Sequence, residues 1–190
     1  MKMNLPNMLI IFRILMIPVF LFFFFAAGPA EIFRMAAMVV FIVAAITDLL
    51  DGYLARKWDV VSNFGALMDP LADKMLVSAA LIALAYRQEL AAWVVILIIC
   101  REFWVTSLRM LALEQGKKVI AASMWGKIKT VLQIITLSSL MGGLASGEYL
   151  GQFFVPVGST LAVILVYLTV FATLISAVEY TKNNRDVLKS

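Results

Sequence analysis

The sequence predicts an all-α integral membrane protein with six transmembrane helices, and three observations carry that prediction. Apolar residues make up 63% of the 190 and charged residues only 15%, against roughly 45–50% and about 25% in soluble domains. Six stretches reach the length of about 20 apolar residues that a helix needs to cross the hydrocarbon core. Lysines and arginines concentrate on alternate connections, the asymmetry that orients a chain in a membrane.

The first helix is expected at about 8–27, where a phenylalanine block at 22–25 ends against Gly28-Pro29. The next three are expected at about 32–56, 65–86 and 91–113. A polar stretch, 114–123, leads to the fifth at about 125–145, and a Gly/Ser-rich loop at 142–151 leads to the sixth at about 157–181. No composition shift, repeat or linker divides the chain, so one membrane domain over 1–190 is expected. Lys2 and Ala26-Ala27-Gly28 resemble parts of a secretory signal, but Arg13 and Pro18 interrupt the apolar run, which favours a retained helix. Residues 4–13 read as the start of an interfacial helix.

Lys2, Arg13, Arg56, Lys57, Lys117, Lys118, Lys127, Lys129, Lys182, Arg185 and Lys189 fall on one side, Arg34 and Arg87 on the other. The positive-inside rule then puts both termini in the cytoplasm of a cell-membrane protein. The net charge of +4 is thereby explained by orientation and lipid headgroups, with no nucleic-acid partner expected. Trp58, Trp93 and Trp125 read as interfacial belt residues, and Trp104 as a deeper packing residue.

Composition also removes whole classes of chemistry. There is no histidine, and Cys100 is the single cysteine, so disulfides, Ser-His-Asp triads and Cys-His pairs are excluded. Cys100 reads as inert packing. Acid–base or metal chemistry must run on carboxylates, lysines, arginines or tyrosines.

Four of the six aspartates, Asp48, Asp51, Asp69 and Asp73, fall within 26 residues of an otherwise apolar hairpin. Spacings of three and four put each pair on one helix face. An ionised aspartate at the centre of a membrane helix costs about 2.5–3.5 kcal/mol, so four mutually repelling ones approach about 10 kcal/mol. Arg56 alone cannot neutralise them. Two divalent cations with oxygen ligands, Mg²⁺ or Mn²⁺, would cancel the charge, and a metal pair is also the usual clamp for displacement at phosphorus. Gly52, Ala55, Gly65, Ala66 and Ala72 permit close helix approach around them.

The string Asp48-x2-Asp51-Gly52-x2-Ala55-Arg56-x8-Gly65-x3-Asp69-x3-Asp73 resembles, position for position, the signature of the CDP-alcohol phosphotransferase family. Asn4-Leu5-Pro6-Asn7 with Arg13, the segment from Arg101-Glu102-Phe103 to Arg109, and Gly126-Lys127-Ile128-Lys129-Thr130 are similar to family members acting on a phosphorylated glycerol. The resemblance implies a six-helix homodimer with a cytoplasm-facing cavity. Its reaction would move a phosphatidyl group from CDP-diacylglycerol to an alcohol, here sn-glycerol 3-phosphate, releasing CMP. It implies Asp48, Asp51 and Asp69 as metal ligands and Asp73 as ligand and base. Gly52, Ala55, Arg56 and Gly65 would line the CDP side.

A phosphorylated acceptor needs cations that reach the cavity. Arg101, Arg109, Lys127 and Lys129 are the candidates, with a salt bridge to Glu102 the competing role for Arg101 and headgroup anchoring for the lysines. Serine, inositol phosphate or phosphatidylglycerol would be alternative acceptors within the family. A cation transporter would be the alternative of a different class, but inverted repeats are absent from the sequence.

Overall fold

The computed structural model describes residues 5–26, 30–58, 63–115, 124–145 and 158–185; the side chains of 5–7, 48–58, 63–70 and 73 are among those outside that set. Six helices make up the fold: α1 Leu5–Phe25, α2 Ala30–Trp58, α3 Asn63–Tyr86, α4 Ala92–Glu114, α5 Met124–Ala145 and α6 Thr160–Asn183. Among the described residues there is no strand.

Local chemistry explains where the ends differ from the expected positions. α1 starts at Leu5 and carries Pro6 in its first turn, where the missing N–H costs no helical hydrogen bond. Pro18 lies inside the same helix on an exposed face, a placement that membrane helices tolerate better than soluble ones. α6 starts later than its apolar run because Gly158 turns the chain at φ 84° and Ser159 caps the helix, accepting the Ala162 N–H at 3.2 Å. α3 ends through Gln88 at φ 62°, with Glu89 N–H reaching back to the Leu84 carbonyl at 3.0 Å, a Schellman-type closure.

α1 packs on α2 and α3, α5 on α6 and α2, and α4 on α6 and α3. The main apolar cluster is drawn from the second halves of α1, α3 and α5 (Phe20, Leu81, Leu84, Leu137, Met141) and the first halves of α2, α4 and α6 (Phe41, Ile98, Ala162). In an up-and-down arrangement these halves share one end of the bundle. Phe20 anchors it, with ring centroids of Phe24 and Phe41 at 5.6 and 6.2 Å. The other halves hold the buried polar groups Arg13, Lys129 and Ser176. Thr136 and Thr169 pair their hydroxyls at 2.8 Å between α5 and α6, midway between the two ends.

The exterior is correspondingly apolar: Leu15, Phe22, Ile96, Val131, Leu161, Phe171 and Val178 all face outward. Polar groups inside and apolar ones outside mark a chain whose solvent is lipid. By length and hydropathy among the described residues, α6 is the helix that qualifies outright as a span; apolar stretches at Ile10–Phe25, Ile32–Thr47 and Lys74–Tyr86 are shorter.

Arg13 lies within α1, inside the expected first span, and is fully buried, because a charge inside an apolar helix gains most by turning to the bundle interior. One expectation is corrected. Trp104, expected to pack inside, faces outward and donates its indole N–H to Thr181 Oγ1 at 3.0 Å.

The α3–α4 connection carries its own charge cluster. Arg34 of α2 lies 3.5 Å from Glu89 Oε1, and Arg87 donates to the Phe24 carbonyl at 3.4 Å. Burial pushes the Glu89 carboxyl above its ordinary value of 4.5, and Arg34 and Arg87 pull it only part of the way back. The folded state therefore favours the protonated form, and the stability this group contributes is lost as pH rises from 4.5 through the raised value. Relative to Glu89→Gln, the wild-type melting temperature in detergent should fall over that pH interval; a constant difference would contradict it.

Candidate active site at the polar end of the bundle

The four aspartates sit on helical backbone on both sides of a short connection. α2 ends at Trp58 and α3 begins at Asn63, and the two helices pack on each other. At about 1.5 Å per residue, Asp48 and Asp73 are both roughly 15 Å from those ends, and Asp51 and Asp69 roughly 9–11 Å. The pairs therefore occupy matching levels along neighbouring helices. Their side chains, with those of Gly52, Ala55, Arg56 and Gly65, lie outside the described residues. Among the described residues no group of three carboxylates or thiols gathers to hold a metal. The donor set of the motif, four carboxylates in a chain without histidine, suits hard divalent cations such as Mg²⁺ or Mn²⁺.

The cations predicted on α4 and α5 are resolved individually. Glu102 is the hub: Lys129 Nζ donates to its Oε1, and Arg101 Nη1 reaches the same oxygen at 3.5 Å. Lys129 is almost completely buried. Lys74 of α3 is also close enough to act on Glu102 electrostatically. One carboxylate thus ties α4 to α5 with Lys74 of α3 in electrostatic reach, compensating charges that would otherwise be held out of water at several kcal/mol each.

Arg101 is also held from α6, where its Nη2 donates to Ser176 Oγ. Arg109, two turns further along α4, acts electrostatically on Arg101 and has its guanidinium carbon 5.9 Å from the Tyr180 ring centroid. The Nε–H groups of both arginines are buried without a hydrogen-bond partner among the described residues. Arg101, Arg109 and Lys129 therefore come together. Lys127 does not: it is exposed, as two residues along a helix turn by about 200°.

The sequence model of the CDP-alcohol phosphatidyltransferase family matches residues 3–176. The chain belongs to that family. A CDP-diacylglycerol–glycerol-3-phosphate 3-phosphatidyltransferase of Bacillus subtilis is 42% identical over 197 residues, covering 98% of each chain. Enzymes of the same name from Haemophilus influenzae and Rickettsia bellii are 37% and 38% identical, over 95% and 94% of this chain and 92% and 94% of theirs.

This CDP-alcohol phosphatidyltransferase carries polar groups that composition and motif reading passed over: Lys74, Ser176 and Tyr180. A single charge at 74 within an apolar run was one available signal. A second was the α6 stripe Thr169, Thr173, Ser176, Tyr180, whose spacings of four, three and four mark one helix face; all four are buried. Glu102→Gln in this phosphatidyltransferase should destabilise the fold by about 3–5 kcal/mol, the usual cost of breaking a buried pair. Combining it with Lys129→Met should recover a large part of that loss. Additive losses in a double-mutant cycle followed by thermal unfolding would contradict the pairing.

Proposed function

We propose that this chain transfers the phosphatidyl group of CDP-diacylglycerol to sn-glycerol 3-phosphate, giving phosphatidylglycerophosphate and CMP. The observation that carries the acceptor choice is the neighbouring pair Arg101 and Arg109, each with a buried Nε–H and no hydrogen-bond partner among the described residues. Two such guanidiniums suit a dianionic phosphate. Full-length identity to relatives named for this reaction supports the same acceptor.

In this reading Asp48, Asp51, Asp69 and Asp73 hold two Mg²⁺ or Mn²⁺ ions. When bound, these ions supply positive charge at the pyrophosphate and favour loss of CMP. Gly52, Ala55, Arg56 and Gly65 line the CDP side, and the small residues let the nucleotide approach the backbone. Arg101 and Arg109 seat the acceptor's phosphate, with Lys129 behind them. Asp73 takes the proton of the glycerol hydroxyl as that oxygen bonds to the β-phosphorus and the bond to the CMP oxygen breaks in line. A carboxylate is the natural acceptor in a chain without histidine. All six helices span the membrane, the termini and the site face the cytoplasm, and the enzyme works as a homodimer.

Purified protein in detergent should release CMP from CDP-diacylglycerol only when glycerol 3-phosphate is present. A panel with serine, inositol phosphate and phosphatidylglycerol tests the choice directly, and preference for any of these would overturn it. Chelation should abolish turnover, with Mg²⁺ or Mn²⁺ restoring it. Asp69→Asn should lose turnover and metal affinity together, whereas Asp73→Asn should lose turnover with CDP-diacylglycerol affinity largely kept. Arg109→Ala should raise KM for glycerol 3-phosphate about ten-fold or more, the loss expected for a charged hydrogen bond; an unchanged value would place the phosphate elsewhere.

A further inference from the structure

We infer that α6 completes the acceptor site through Ser176 and Tyr180, positioning residues that aim Arg101 and Arg109 at the acceptor's phosphate. The inference rests on the reading of those arginines given under Proposed function.

Arg101 is gripped from two sides. Nη1 lies on Glu102 Oε1 at 3.5 Å and Nη2 donates to Ser176 Oγ. With both terminal nitrogens engaged, the guanidinium plane is fixed, and the buried Nε–H is left without a hydrogen-bond partner among the described residues. Ser176 is fully buried within the α4–α6 contact. The second arginine is held by a different device. Arg109 lies over the face of Tyr180 at 5.9 Å, and that ring is buried with Val105 and Leu108 of α4. Asn184 fixes the last turn of α6 by donating its side-chain amide to the Tyr180 carbonyl at 2.7 Å.

The chemistry of these holders matters. A serine hydroxyl and an aromatic face both orient a cation without cancelling its charge, whereas Glu102 cancels charge as it orients. Two guanidiniums near one another repel, and α6 keeps them in place by neutral contacts so that their charge remains available to an incoming dianion. Ser176 and Tyr180 are four residues apart on one face, so a single helix sets the direction of both.

The test uses the full-length enzyme in lipid–detergent micelles, measuring KM for glycerol 3-phosphate, KM for CDP-diacylglycerol and kcat. Ser176→Ala and Tyr180→Leu should each raise KM for glycerol 3-phosphate about five- to thirty-fold, the range for one hydrogen bond from a charged donor or one desolvated cation–π contact. KM for CDP-diacylglycerol should stay within about two-fold. Tyr180→Phe keeps the ring and should behave as wild type. Equal rises in both KM values, a fall in kcat alone, or no change in the Ser176→Ala enzyme would overturn the inference. A Tyr180→Phe enzyme as impaired as Tyr180→Leu would overturn the role of the ring face. Should Tyr180→Leu fail to elute as a single species, Ser176→Ala and Tyr180→Phe decide the matter. If Arg109→Ala leaves KM for glycerol 3-phosphate unchanged, the acceptor reading falls and takes this inference with it. If Arg109→Ala raises that KM while the α6 variants do not, this inference alone falls.

Discussion

A bundle whose exterior meets lipid must account internally for every charge it buries, and Glu102 is where this chain does so most visibly. Its carboxylate lies against Lys129 and Arg101 and within electrostatic reach of Lys74. The pairing holds α4 and α5 together at one end, with Lys74 of α3 close by. Without it, cations on three helices would meet at close range with far less to offset their repulsion and desolvation. The arrangement of the polar end follows from satisfying that constraint, and the helices carrying the aspartate motif are part of the same frame.

The two ends of the bundle divide the work between them. Aromatic and aliphatic packing around Phe20, Phe41, Leu84 and Met141 gives one end a dry core that requires no polar partner. That end can be stable on dispersion and shape alone. The other end spends this stability on buried charge. Threonines in α5 and α6 mark the passage from one regime to the other, pairing with each other and back-bonding to carbonyls one turn earlier, so their hydroxyls stay satisfied in a region without water.

Much of the architecture was legible in the residues. Apolar segment lengths anticipated six helices, and the fixed spacing of eight motif positions pointed to the family to which the chain belongs. The start of α6 was less legible because hydropathy does not register a serine cap. Periodicity separates Lys127 from Lys129, yet treating both as one basic cluster hid that distinction; the buried lysine and the exposed one lie on different faces. Arg13 was legible as a charge within the first span, but its burial was not, since burial depends on what stands opposite across the helix interface. Ser176 and Tyr180 were missed because hydroxyls in an apolar helix carry little weight in composition, and their partners lie more than 70 positions away in the chain.

The aspartates ride on α2 and α3, while the arginines and their neutral holders ride on α4 and α6. Inherited change can therefore reshape one set while leaving the other's helices intact. Under the proposed division of roles, a lineage that exchanged its acceptor alcohol would need to rewrite only the later part of the gene, keeping the earlier part as a common chassis.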